Sequence, residues 1–154
     1  MLLKKNLLIE ILPRFLWIIM LILLILGQKL VPHLLRFREN VFVLIVGIIV
    51  TFLGLIFWAW VVYHMRKAFF DKTLLITGPF KYVRHPMYVG LYLLFTGIGI
   101  LFFSYPWFLI MILFMPIWYF NCRIEERQMM VIHGEKYFEY KKNVGMFFPK
   151  FMKI

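Results

Sequence analysis

Residues 41–62 run for 22 positions without a charged side chain, and no other feature limits the possible folds so severely. About 20 helical residues cross the ~30 Å hydrocarbon core of a bilayer, so a run of this length suits a membrane span. Three further segments are comparable: 12–31, built around the uncharged stretch 15–27, then 86–104 and 105–122, with 19 and 18 uncharged residues. All four are continuously apolar rather than alternating, which argues for helices and against barrel strands. Composition agrees, with 64% hydrophobic and 16% charged residues and a mean hydropathy of +0.86. Soluble domains sit near half apolar and a quarter charged. The sequence therefore predicts an all-α, polytopic membrane protein with about four transmembrane helices, forming a single membrane domain over residues 1–154.

Pro13 and Pro86 suit the first turns of the first and third spans, where a missing N–H costs nothing. Pro116 falls inside the fourth span and predicts a kink. Ser104, Tyr105 and Pro106 alone join the third and fourth spans, so these should form a tight helical hairpin. The Gly97/Gly99 pair reads either as a place of close approach or as ordinary glycine in a membrane helix. Lys4 and Lys5 before an apolar run resemble a signal peptide, but the small-residue cleavage site is missing, so the run is expected to be retained. Glu10 and Arg14 have the spacing of a helical ion pair, and residues 1–11 read as an interfacial lead-in. If the termini share one side, that side holds fifteen of the eighteen Lys and Arg residues, and only Lys29, Arg36 and Arg38 lie opposite. Both termini and the 63–85 loop should then be cytoplasmic, in a bacterial inner membrane or the endoplasmic reticulum.

The formal charge of +11 does not signal nucleic-acid binding. It is spread over loops facing anionic headgroups and forms no basic–aromatic stripe on a soluble domain. One cysteine, Cys122, excludes an internal disulfide. Four scattered histidines lack metal-ligand spacing, so no metal is expected. Phosphate-cradling and dinucleotide fingerprints are missing too.

Polar chemistry is concentrated in the 77–90 loop and in the tail from Arg123 onward. Arg84 and His85 precede the expected start of a helix at Pro86, where unpaired N–H groups favour anions. They suit a carboxylate or phosphate, or equally anchor the loop at headgroup level. The adjacent Glu125 and Glu126 run against the basic trend of this face and could hold a cation, or simply pair with Arg123 and Arg127 at a solvated helix end. His133-Gly134 should break the helix, and Tyr137 and Tyr140 then share a face.

Taken together, these two segments resemble a known family. Gly78-Pro79-Phe80-Lys81-Tyr82-Val83-Arg84-His85-Pro86-Met87-Tyr88-Val89-Gly90 is similar to the first signature of the isoprenylcysteine carboxyl methyltransferases and the related phospholipid methyltransferases. Glu125-Glu126, followed by Gly134, Tyr137, Tyr140 and Pro149, resembles their second. The likeness covers residues 77–149, and His133 stands where the family usually has phenylalanine. It implies S-adenosylmethionine as methyl donor and a lipidic or prenylated acceptor that presents a carboxylate or an amine. The catalytic half would be 77–154. Tyr82, Val83, His85, Pro86, Tyr88 and Gly90, with Glu125, Glu126, Tyr137 and Tyr140, would form the donor site. Arg84, Glu126 and Arg127 would act on the reacting groups. A membrane reductase using NADPH shares part of the first signature and is the alternative, as is a non-catalytic small membrane subunit.

Overall fold

The computed structural model describes residues 7–30, 40–71 and 73–150, with side chains described for 15–29, 40–66 and 73–150. Among these residues all regular structure is helical: α1 (Leu7–Leu30), α2 (Val41–Asp71), α3 (Pro86–Leu101), α4 (Tyr105–His133) and α5 (Glu135–Asn143), plus a short 3-10 turn at Gly78–Lys81. Two helices are long and apolar enough to cross a membrane, α2 over Val41–Arg66 and α4 over Tyr105–His133. Phe15–Lys29 and Pro86–Leu101 are shorter apolar helices.

Several boundaries differ from those read in the sequence. α1 begins at Leu7, so Pro13 lies within the helix rather than in its first turn, and part of the expected lead-in is helical. α2 continues nine residues past Val62, because nothing in Tyr63-His64-Met65-Arg66 breaks a helix and the loss of hydrophobicity alone does not. The Glu10–Arg14 pair lies outside the described side chains. The third helix does start at Pro86, with His85 as its N-cap. α4 is continuous through Pro116 and ends where Gly134 takes φ +52°.

α2 lies along α3, and α1 along α4. At the first contact side chains have been removed. A Cβ on Gly54 would stand 2.4 Å from the Leu94 backbone nitrogen, and one on Gly97 would stand 2.4 Å from that of Thr51. Of the two readings of Gly97 and Gly99, close approach is therefore the one observed. Trp107 rests on Gly99 and donates its indole N–H to the Phe95 carbonyl at 2.8 Å, which closes the hairpin between α3 and α4. The second contact is aromatic: Trp17 stacks on Trp118 with ring centroids 4.1 Å apart, and Met20 and Leu24 fill the space towards Met111 and Phe114. The opposite face of α2 presents Phe42, Ile45, Ile49, Phe52 and Ile56 outward, an apolar stripe at helical spacing.

Candidate functional site

The segment before α3 and the tail after α5 are tied by backbone bonds. Val83 and Gly145 form an isolated parallel bridge, Arg84 N–H donates to Gly145 O at 2.8 Å, and His85 N–H donates to Met146 O at 3.1 Å. This stitch brings the N-cap of α3 against the C-terminal part of α4. α5 reaches the same place because the turn at Gly134 folds it back.

Arg84 is the hub. Its Nε and Nη2 lie 2.8 Å from Glu126 Oε1, and Nη1 donates to the carbonyls of Lys141 and Val144. Glu126 Oε2 is 2.7 Å from Lys141 Nζ and 4.0 Å from Arg123 Nη1. Both central side chains are buried, with 8% of Arg84 and 1% of Glu126 exposed. Beside them, Tyr88 donates to Glu125 Oε1 at 2.7 Å, and Asn121 Nδ2 donates to Tyr88 Oη at 2.6 Å and to Glu125 at 3.2 Å. His85 bridges the two acids, its Nδ1 3.4 Å from Glu125 Oε2 and its Nε2 3.6 Å from Glu126 Oε1. Its buried Nε2 makes no hydrogen bond.

Burial alone would raise the Glu126 pKa, but His85, Lys141 and Arg84 outweigh it and hold the carboxyl at about 2. Burial alone would lower that of His85, but Cys122, Glu125 and Glu126 hold it at about 11. His85 is therefore cationic and Glu126 anionic at neutral pH.

The structure gathers Arg84, His85, Tyr88, Glu125 and Glu126 in one place, with Val83 buried at the stitch. Tyr137 is buried, and Tyr140 donates to the Phe80 carbonyl at 2.7 Å. Pro86 is buried in the first turn of α3. Three expected site residues stand elsewhere. Tyr82 is 56% exposed, Arg127 is exposed one helix position beyond Glu126, and Gly90 packs against Phe57 and Trp58 of α2. The glycine thus serves helix packing, and the one-residue step to Arg127 turns its side chain about 100° away from Glu126.

Sequence reasoning missed Asn121, Cys122, Lys141 and the Trp17–Trp118 stack. Asn121 and Cys122 did carry a signal, since each lies four residues before a glutamate and on its helical face. Nothing local marked Lys141, whose role depends on the fold-back of α5. One donor atom each from His85, Cys122 and Glu125 lies within 4.8 Å of the others, a grouping that sequence spacing does not reveal. Its glutamate already accepts hydrogen bonds from Tyr88 and Asn121.

The described residues thus form helices, two of them long and apolar enough to cross a membrane, with an ionic cluster around buried Glu126 near the C-terminal end of one. Residues 41–136, more than half of the chain, match the phospholipid methyltransferase family, and the chain belongs to that family. It is similar to a methanethiol S-methyltransferase of Crocosphaera subtropica, with 34% identity over 76 residues, 46% of this chain and 27% of that protein. A methanethiol S-methyltransferase of Pseudomonas deceptionensis is 35% identical over 75 residues, again 46% of this chain and 26% of the relative. The matched region thus spans about a quarter of each relative's length. No solved structure matches.

Proposed function

We propose that this chain is an S-adenosylmethionine-dependent methyltransferase working at the cytoplasmic surface of a membrane on a lipidic or prenylated acceptor. In this reading four helices span the bilayer and both termini are cytoplasmic, as the asymmetry of basic residues supports. The observation that carries the proposal is the meeting of Arg84 and His85 with Glu125 and Glu126 in one cluster, although 42 residues separate Arg84 from Glu126. The donor's amino-acid end is a zwitterion, and this cluster offers both complements. Arg84 and cationic His85 suit a carboxylate, and Glu125 and Glu126 suit an ammonium. Two observations support the fit: His85 Nε2 is buried without a hydrogen bond, and Glu126 Oε2 is held only by ion pairs with Lys141 and Arg123, which are more exposed. Tyr137 and Tyr140 offer an aromatic slot beside the cluster.

When bound, the donor supplies an electrophilic methyl group on sulfonium. The work left to the chain is to hold, orient and exclude water. Cationic His85 is suited to orienting an anion and not to taking a proton. An amine acceptor must lose a proton, and Glu125, the more exposed of the two carboxylates, is placed to take it. An acceptor carboxylate needs only a cation, which Arg123 or Arg127 can provide at the exposed rim. The two relatives' names make a small thiol a further acceptor to test.

Equilibrium binding of labelled S-adenosylmethionine to the detergent-purified chain, beside NADPH, tests the proposal. Saturable binding of the methyl donor and none of NADPH is expected; absence of donor binding overturns the reading. Glu126→Gln and His85→Ala should each weaken donor binding about tenfold or more, the loss of one charge-assisted contact. If both variants methylate as the parent does, the site assignment fails while the enzyme class stands.

A further inference from the structure

We propose that Asn121 is a positioning residue: it fixes the direction of the Tyr88 hydroxyl and, with it, the Glu125 carboxylate that receives the donor's ammonium group. The inference rests on the methyl-donor reading and gives a role within it to a residue outside both sequence signatures. Asn121 is the one side-chain amide in residues 105–122, an uncharged and mostly apolar stretch of α4. Only 6% of it is exposed. A buried amide costs free energy unless it is hydrogen-bonded, and leucine would fill a similar volume without that cost. The amide therefore has a polar task, and its contacts show which. Nδ2 donates to Tyr88 Oη at 2.6 Å and to Glu125 Oε1 at 3.2 Å, while Tyr88 donates to the same Oε1 at 2.7 Å. The three groups form a closed triangle, which joins α3 to one face of α4.

The chemistry of the triangle sets the direction of every bond in it. A carboxylate only accepts, so the amide must turn Nδ2 and not Oδ1 towards Glu125. The phenol has a single proton, and because Nδ2 already donates to its oxygen, that proton goes to Glu125. Asn121 thereby makes Tyr88 a donor to the carboxylate. Two donors on Oε1 hold a side chain that is 38% exposed, and they leave Oε2 facing His85, 3.4 Å from Nδ1. A charged group held in place before its counter-ion arrives binds more tightly than one that must be ordered on binding.

The experiment measures equilibrium binding of S-adenosylmethionine, and of its analogue lacking the α-amino group, to the full chain in maltoside micelles. The parent should prefer the amino-bearing donor about tenfold or more, as one charge-assisted contact provides. Asn121→Leu should bring that preference close to one while leaving affinity for the des-amino analogue within about twofold. A merely structural role would weaken both ligands alike and keep the ratio. Asn121→Ala adds no bulk and gives the same readout if the leucine variant does not fold. Tyr88→Phe keeps the ring and should lower the ratio by less, since Asn121 still reaches Glu125. If the parent shows the preference and the Asn121 variants keep it, the role of Asn121 is overturned and the methyl-donor reading stands. If the parent binds both ligands equally, Glu125 does not receive the ammonium and the role falls with it. If the parent binds neither, the methyl-donor reading fails and takes this inference with it.

Discussion

Between α2 and α3 the chain has stripped away side chains so that backbones meet, with Gly54 on Leu94 and Gly97 on Thr51. Around Arg84 it has done the reverse, drawing a guanidinium, an imidazole, an ammonium and two carboxylates from three elements into one cluster centred on buried Arg84 and Glu126. The first region is bound by shape and has no charge to titrate. The second is bound by charge, and buried Arg84 and Glu126 are each tolerable because the other is present. The two should therefore fail differently: the packed interface to added volume at any pH, the ionic cluster to the loss of any one partner and to extremes of pH.

The largest effect is expected at the cluster. Glu126→Ala leaves Arg84 buried beside two carbonyls with no counter-charge, and breaking a buried pair in this way costs about 3–5 kcal/mol. Chemical unfolding in detergent should show it; a loss below 1 kcal/mol would mean that water reaches Arg84 easily. Next comes the interface. Gly54→Val drives a branched side chain into the Leu94 backbone and should cost about 1–3 kcal/mol through overpacking. That loss should be the same across pH, which a charge-based defect would not be.

The pH dependence separates the regions further. Glu126 is held at about 2, below its ordinary 4.5, so its contribution is complete above 4.5 and is lost as pH falls towards 2. His85 is held at about 11, above its ordinary 6.5, so its contribution is complete below 6.5 and is lost as pH rises towards 11. Melting temperatures measured across a pH series should peak between these ordinary values, and His85→Ala should remove the alkaline decline. The smallest effect is expected on the outward face of α2, where Phe52→Leu should change stability by less than about 0.5 kcal/mol. A large loss there would show that the stripe packs on a protein partner.

Much of this architecture was legible because it follows from chain-local physics. Pro86 must open a helix, Gly134 must close one, and four apolar runs must be helical whatever surrounds them. The pairing of Arg84 and His85 with Glu125 and Glu126 was legible only through resemblance to a family, since no local rule brings residues 42 apart together. What escaped depends on rotation and on fold-back. Arg127 and Tyr82 have the right chemistry but face outward, and a sequence does not state the phase of a helix to within one residue. Lys141 was invisible because its partner is chosen by the path of α5. Gly90, expected in the donor site, lies where α3 passes Trp58, and an added Cβ would stand 3.2 Å from the Trp58 Cα.

The parallel stitch between Val83 and Gly145 has a consequence for biogenesis. During synthesis α1 to α3 are complete at Leu101, well before Gly145 and Met146 are made, so the nascent chain has helices but an unfinished hub. Arg84 then has to wait, hydrated, for carbonyls made some sixty residues later. A chain that stopped before Gly145 would keep its helices but leave Arg84 and His85 without the backbone partners that seat them beside Glu126.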